Sequence, residues 1–163
     1  QIDEPGESLP LLQQLLTHEF GHFFDFANDV NPKGFGLAKA SPEAGDWSSL
    51  SWESDAIASR YDFPGREHLC FYSCPEPRQQ PDSIAAIYEQ FAGAPFISTY
   101  ATVSPDEDFA ETFAFVMELQ KVGNSYQIPG HEAIDLNARF NSDLMAPKRR
   151  FIEEFIKARL RYP

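Results

Sequence analysis

The sequence predicts a mainly α-helical domain, α+β at most, with little or no sheet. Three observations carry this. Apolar residues recur at helical spacing in five segments, near 9–28, 84–91, 105–117, 133–140 and 147–160. Breakers gather between those segments, and past the first turn no proline interrupts them. Strand-like character is limited to the short stretch His68–Cys74 and to Phe96–Ala101, a short extended or loop segment. At 163 residues, with 42% apolar and 14% aromatic content, the chain suits one folded domain over 1–163 with a single core.

The first helix is expected from about Leu9 to Asn28. Ser8 is a candidate N-cap and Pro10 lies near the first turn, where a missing N–H costs nothing. Leu11, Leu12, Leu15, Leu16, Phe20, Phe23, Phe24, Phe26 and Ala27 follow without an internal proline, and Asn28-Asp29 with Asn31-Pro32 ends the run. Apolar side chains this widely spread around a helix predict a buried central element. From Asn31 to Pro81 breakers are dense, so local order there rests on anchors: Trp47, Leu50, Trp52, Ile57, Tyr61 and Phe63.

Asp82-Ser83 can cap a second helix through Ile84, Ile87, Tyr88 and Phe91, which Gly93-Ala94-Pro95 stops. Ser104-Pro105-Asp106-Glu107 opens a third, with capping-box spacing and proline in the first helical position. Its core face is Phe109, Ala110, Phe113, Val116 and Met117. Ala133–Phe140 and Pro147–Leu160 complete the set. In the last, Phe151, Ile152, Phe155, Ile156 and Leu160 form a stripe expected to lie opposite a solvated face of Lys148, Arg149, Lys157 and Arg161.

Charge narrows the partners. The net charge is −12, but residues 147–163 carry +4 and residues 1–146 carry −16. Such an acidic body repels phosphate backbones, which argues against nucleic acid. No apolar run approaches the ~20 residues of a membrane span. The acidic surface fits an extracellular or periplasmic setting. The chain starts at Gln1 without a signal peptide, as expected of a processed or trimmed N-terminus. Cys70 and Cys74 suit either a local disulfide or two thiols, and with His68 they offer an alternative, unusually spaced metal site.

The chemistry concentrates in Thr17-His18-Glu19-Phe20-Gly21-His22, an H-E-x-x-H pattern. Residues four apart on a helix share a face, so His18 and His22 can point two imidazoles at one Zn2+. Glu19 sits beside them as base for a metal-activated water. A third ligand is needed. His68 and His131 lack metal-type spacing, and a third histidine soon after a glycine is absent. Glu107 and Glu111, four apart on the third helix, are the better pair: one to bind metal, the other to hold a ligand histidine's second nitrogen. A non-catalytic zinc-containing module is the alternative reading. A di-iron site would need a second Glu-x-x-His, which the chain lacks.

The stretch Tyr100-Ala101-Thr102-Val103-Ser104-Pro105-Asp106-Glu107-Asp108-Phe109-Ala110-Glu111 resembles the second ligand block of gluzincin-type metallopeptidases. The nearest likenesses are the anthrax lethal factor and Pro-Pro endopeptidase family and a group of bacterial zinc-binding metallopeptidases. His18-Glu19-Phe20-Gly21-His22 with Asp25 is similar to the first block. The resemblance implies a zincin-like catalytic domain that cleaves a peptide or protein substrate. It implies His18, His22 and Glu107 as zinc ligands, Glu19 as general base, Tyr100 as transition-state stabiliser, and Glu111 and Asp25 as supports. These families place a sheet before the active-site helix. Here the seventeen residues before His18 are poor in strand formers, so either that sheet lies outside this chain or residues 31–81 take its place.

Overall fold

The computed structural model describes residues 8–31, 45–53, 61–69, 71, 81–117, 125–126 and 134–159. Among them helix dominates, in line with the sequence: α1 Ser8–Asn28, α2 Pro81–Ala92, α3 Pro105–Met117, α4 Leu136–Phe140 and α5 Ala146–Arg159. Strand is limited to β1 Ser125–Tyr126 and β2 Ile134–Asp135, an antiparallel pair with Ser125 opposite Asp135 and Tyr126 opposite Ile134. Short 3₁₀ turns occupy Ser48–Leu50, Arg66–His68 and Tyr100–Thr102.

Local chemistry sets the ends of the two helices that matter most. At the end of α1 the Asn28 amide donates to Phe24 O at 2.8 Å, and Asp29 adopts φ 51°. Val30 N–H then returns to Asp25 O at 3.2 Å, a Schellman closure that satisfies a last-turn carbonyl. At the start of α3 Pro105 takes the first helical position, and Ser104 Oγ accepts a long bond from Glu107 N–H at 3.4 Å.

Helix α1 packs tightly on α3 where Gly21 meets Ala110. A Cβ on Gly21 would stand 2.7 Å from Ala110 Cα, so only glycine lets the two backbones approach this far. Behind α3 lies an aromatic core in which Trp47 meets Phe109 and Phe151 edge-on, each at 5.4 Å, and Phe109 meets Phe155 at 5.4 Å. Trp52, Phe91, Phe96, Phe113, Phe115, Phe140, Met145 and Ile152 are buried in the same core. Arg139 of α4 fastens the end of α2. Its guanidinium donates to Phe91 O at 2.9 Å in the last turn of α2, and to Ala94 O and Phe96 O, each at 2.6 Å, just beyond it.

Four expectations need correction. The helix expected over Ala133–Phe140 starts only at Leu136, because Asp135 caps it by accepting from Asn137 N–H and Ala138 N–H and, with Ile134, pairs with β1. Helix α1 is not buried all round: His18, Gly21 and Asp25 face α3, whereas Leu12, Leu15, Leu16, Phe20, Phe23 and Phe26 are 50–80% exposed. Among the described residues α3 covers one side of the helix only, so composition alone overstated its burial. Lys148, expected in solvent, is 1% exposed. In the stretch expected as a strand, His68 closes the 3₁₀ turn Arg66–His68 and Leu69 and Phe71 are not in strand, while residues 70 and 72–74 lie outside the described residues.

The anchors Trp47, Trp52 and Phe63 are buried, and Leu50 and Tyr61 partly so. Segments 45–53 and 61–69 hold no strand, so the described part of the 31–81 region does not replace the expected sheet. Ile57, Cys70, Cys74 and His131 lie outside the described residues.

Candidate metal centre

Helical geometry puts His18 and His22 on the α3 side of α1, and the Gly21–Ala110 crossing brings the first turn of α3 against them. The two Nε2 atoms are 3.1 Å apart, and Glu107 Oε2 lies 3.1 Å from His18 Nε2 and 3.3 Å from His22 Nε2. Three ligand-type atoms thus form a nearly equilateral triangle. A tetrahedral ion at ~2.0–2.1 Å from each would separate them by about 3.3–3.4 Å. Glu107 Oε2 is buried and takes no well-aimed hydrogen bond despite these two nitrogens, which leaves an electron pair for a cation. Two imidazoles and one carboxylate are also a donor set that zinc favours. The residues fit the ion.

The remaining atoms of the two carboxylates are held from the segment before α3. Tyr100 Oη donates to Glu107 Oε1 at 2.9 Å. Glu111 Oε1 stands 2.9 Å from His18 Nδ1, a short ion-pair contact off the line of a straight hydrogen bond. Its other oxygen receives the Ser98 hydroxyl at 2.6 Å. Asp25 turns to Asn31, accepting from its backbone N–H at 2.8 Å and its side-chain amide at 2.7 Å, and so serves the end of α1. Glu19 is exposed and lies at the wall of an open cleft of about 450 Å³. His18, His22, Tyr100, Glu107 and Glu111 share that wall with Gln14 and Leu15.

The electrostatics follow the contacts. Burial disfavours a charged His18 ring, but Glu107 and Glu111 beside it outweigh that and lift its pKa to about 9. The Glu107 carboxylate beside it raises His22 against its own burial. Burial works against the Glu107 carboxylate too, yet His18, His22 and Tyr100 together bring it down to about 2. The site is thus a carboxylate facing two rings that share its charge. A proton or a metal ion can occupy that relationship, and they compete for it.

One position along α3 a second carboxylate does different work. Asp108 Oδ2 accepts from Trp47 Nε1 at 3.1 Å, Trp52 Nε1 at 3.0 Å and Lys148 Nζ at 2.6 Å. Lys148 also donates to Pro95 O at 2.6 Å and stands 4.1 Å from the centre of the Phe96 ring. Burial pushes Lys148 down, to about 8, and Asp108 up, while each charge holds the other. This cluster ties α3 to α5 and to both tryptophans directly behind Glu107.

Among the described residues the group able to hold a metal is His18, His22 and Glu107. A family model described as "Putative zinc-binding metallo-peptidase" matches residues 79–160, just over half of the chain. The chain belongs to this zinc-binding metallopeptidase family. The match takes in Tyr100, Glu107 and Glu111 but not the histidine helix, so His18 and His22 join the family's block through geometry alone. Neither a curated protein nor a solved structure matches the chain.

Sequence reasoning singled out every member of the triangle. It missed Ser98, the Asp108–Lys148 pair and the meaning of Gly21. The last had a signal: a lone glycine inside a strongly helical run marks a close packing contact.

Proposed function

We propose that the chain is a zinc-dependent peptidase of the gluzincin type. In this reading His18, His22 and Glu107 hold the ion and Glu19 is the general base. The observation that carries it is the triangle of ligand-type atoms, with edges of 3.1–3.3 Å, lining a cleft whose wall includes an exposed acid next in sequence to His18. A structural zinc site would more often be closed by a fourth protein ligand, and among the described residues the group numbers three.

Zinc, when bound, supplies Lewis acidity and a water whose pKa falls toward ~7. Glu19 accepts the proton of the attacking water and passes it to the leaving amine. Tyr100, at the edge of the cleft, turns its one hydroxyl proton from Glu107 Oε1 to the carbonyl oxygen as negative charge develops there. Glu111 orients His18 from the far side of the ring. The likeness to the lethal factor and Pro-Pro endopeptidase family supports this assignment of roles. An acidic, single-domain peptidase acting outside the cytosol is the setting we favour.

The test is metal content followed by peptide cleavage. The zinc-loaded chain should cleave members of a mixed peptide library, and a chelator should abolish it. Glu19→Gln should keep the zinc and lose activity by about 10²–10⁴, whereas His18→Ala should lose both. Zinc binding without any chelator-sensitive cleavage would leave a binding module in place of an enzyme.

A further inference from the structure

We propose that Ser98 is a positioning residue for the metal centre: through Glu111 it fixes which nitrogen His18 presents to the ion. The inference rests on the zinc reading above and adds a member to it. Ser98 is 3% exposed, so its hydroxyl has no ready exchange with water. It accepts from Ala101 N–H at 3.0 Å, and because a backbone N–H can only donate there, its one proton is left for Glu111 Oε2 at 2.6 Å. That bond leaves Glu111 Oε1 facing His18 Nδ1 at 2.9 Å. A carboxylate there favours the proton on Nδ1 and leaves the Nε2 lone pair for the metal.

The arrangement around His18 is two-sided. Tyr100 occupies one oxygen of Glu107 and Ser98 one oxygen of Glu111, so each glutamate turns its other oxygen to a different ring nitrogen of the same histidine. Both hydroxyls come from one short segment, and the bond from Ala101 N–H to Ser98 Oγ fastens the turn that carries Tyr100. The contacts therefore close a ring: Ser98, Glu111, His18, Glu107, Tyr100, and back along the chain. Ser98, a neutral hydroxyl, brings no charge into that ring and is not among the group able to hold the ion. Its effect is thus on geometry.

The experiment is zinc affinity of the full chain, read by competition with a chromophoric chelator. Ser98→Ala should weaken zinc by about 10–100-fold, as loss of a partner behind a ligand histidine does, and Ser98→Thr should restore most of it. In a Glu111→Ala background Ser98→Ala should cost almost nothing further, since the route is already cut. Should the alanine variant not fold, Ser98→Cys keeps the shape with a weaker donor and should show a smaller loss in the same direction. Wild-type zinc affinity in Ser98→Ala or Ser98→Cys, or a loss that adds in full to that of Glu111→Ala, overturns this inference alone. A wild-type chain that takes up no zinc overturns the metal reading along with it.

Discussion

Glu107 and Asp108 are consecutive on α3, carry the same functional group, and meet opposite surroundings. Glu107 faces α1 and the cleft, with one oxygen held by a tyrosine and the other taking no well-aimed hydrogen bond between two imidazoles. Asp108 points the other way, wholly buried, with two indoles and an ammonium crowded on one oxygen. The first is an anion with a place kept for a partner. The second already has a permanent cation in Lys148. A helix turning by about 100° per residue can therefore set an acid that faces the cleft and a structural acid side by side.

Separating the two is the sharpest way to test that contrast. Asp108→Ala strands a buried ammonium and should cost about 3–5 kcal/mol in urea unfolding. Glu107→Ala should leave the zinc-free unfolding midpoint much closer to wild type while removing zinc binding. Equal losses of stability would erase the distinction. Tyr100→Phe removes the hydroxyl that holds Glu107 and should lower turnover by about 10²–10³ with zinc still bound. Steady-state kinetics beside metal analysis reads both halves.

Gly21→Ala should cost about 1–3 kcal/mol, because the new Cβ would meet the Ala110 backbone at 2.7 Å and must push α3 away. Zinc affinity should fall in the same variant as Glu107 moves off the histidines. A variant that kept both would show that the close crossing is not what seats Glu107 beside the histidines.

The smallest effect expected is on pH dependence after zinc is stripped. His18 is raised from 6.5 to about 9, so its contribution is complete below pH 6.5 and disappears as pH climbs through about 9. Glu107 is lowered from 4.5 to about 2, so its share is complete above pH 4.5 and fades as pH drops through about 2. The thermal midpoint of the stripped protein should decline from pH 6.5 toward 9. The zinc-loaded protein should lack that decline, since the ion takes the proton's place.

Much of the site was readable in the chain because its parts are local. His18 and His22 share a face by helical period, and Glu107 and Glu111 do so in turn. The caps around Ser104-Pro105 and Asn28-Asp29 announce where those helices begin and end. Lys148 was not readable: a lysine next to Arg149 and Arg150 has every local mark of solvation, and only a buried carboxylate forty positions earlier reverses that. Ser98 was hidden for a similar reason, since a serine in a bend reveals nothing of the acid it will meet.

By itself, then, the sequence determined which segments are helical and which ionisable groups stand together on each, because those follow from spacing along a single segment. The tertiary structure decided which face of α1 is covered, that Gly21 admits α3 closely enough for three ligand-type atoms to converge, and which of two neighbouring acids meets the histidines. Those outcomes depend on the distance between segments remote in the chain, and that distance is set by how both pack against a shared core.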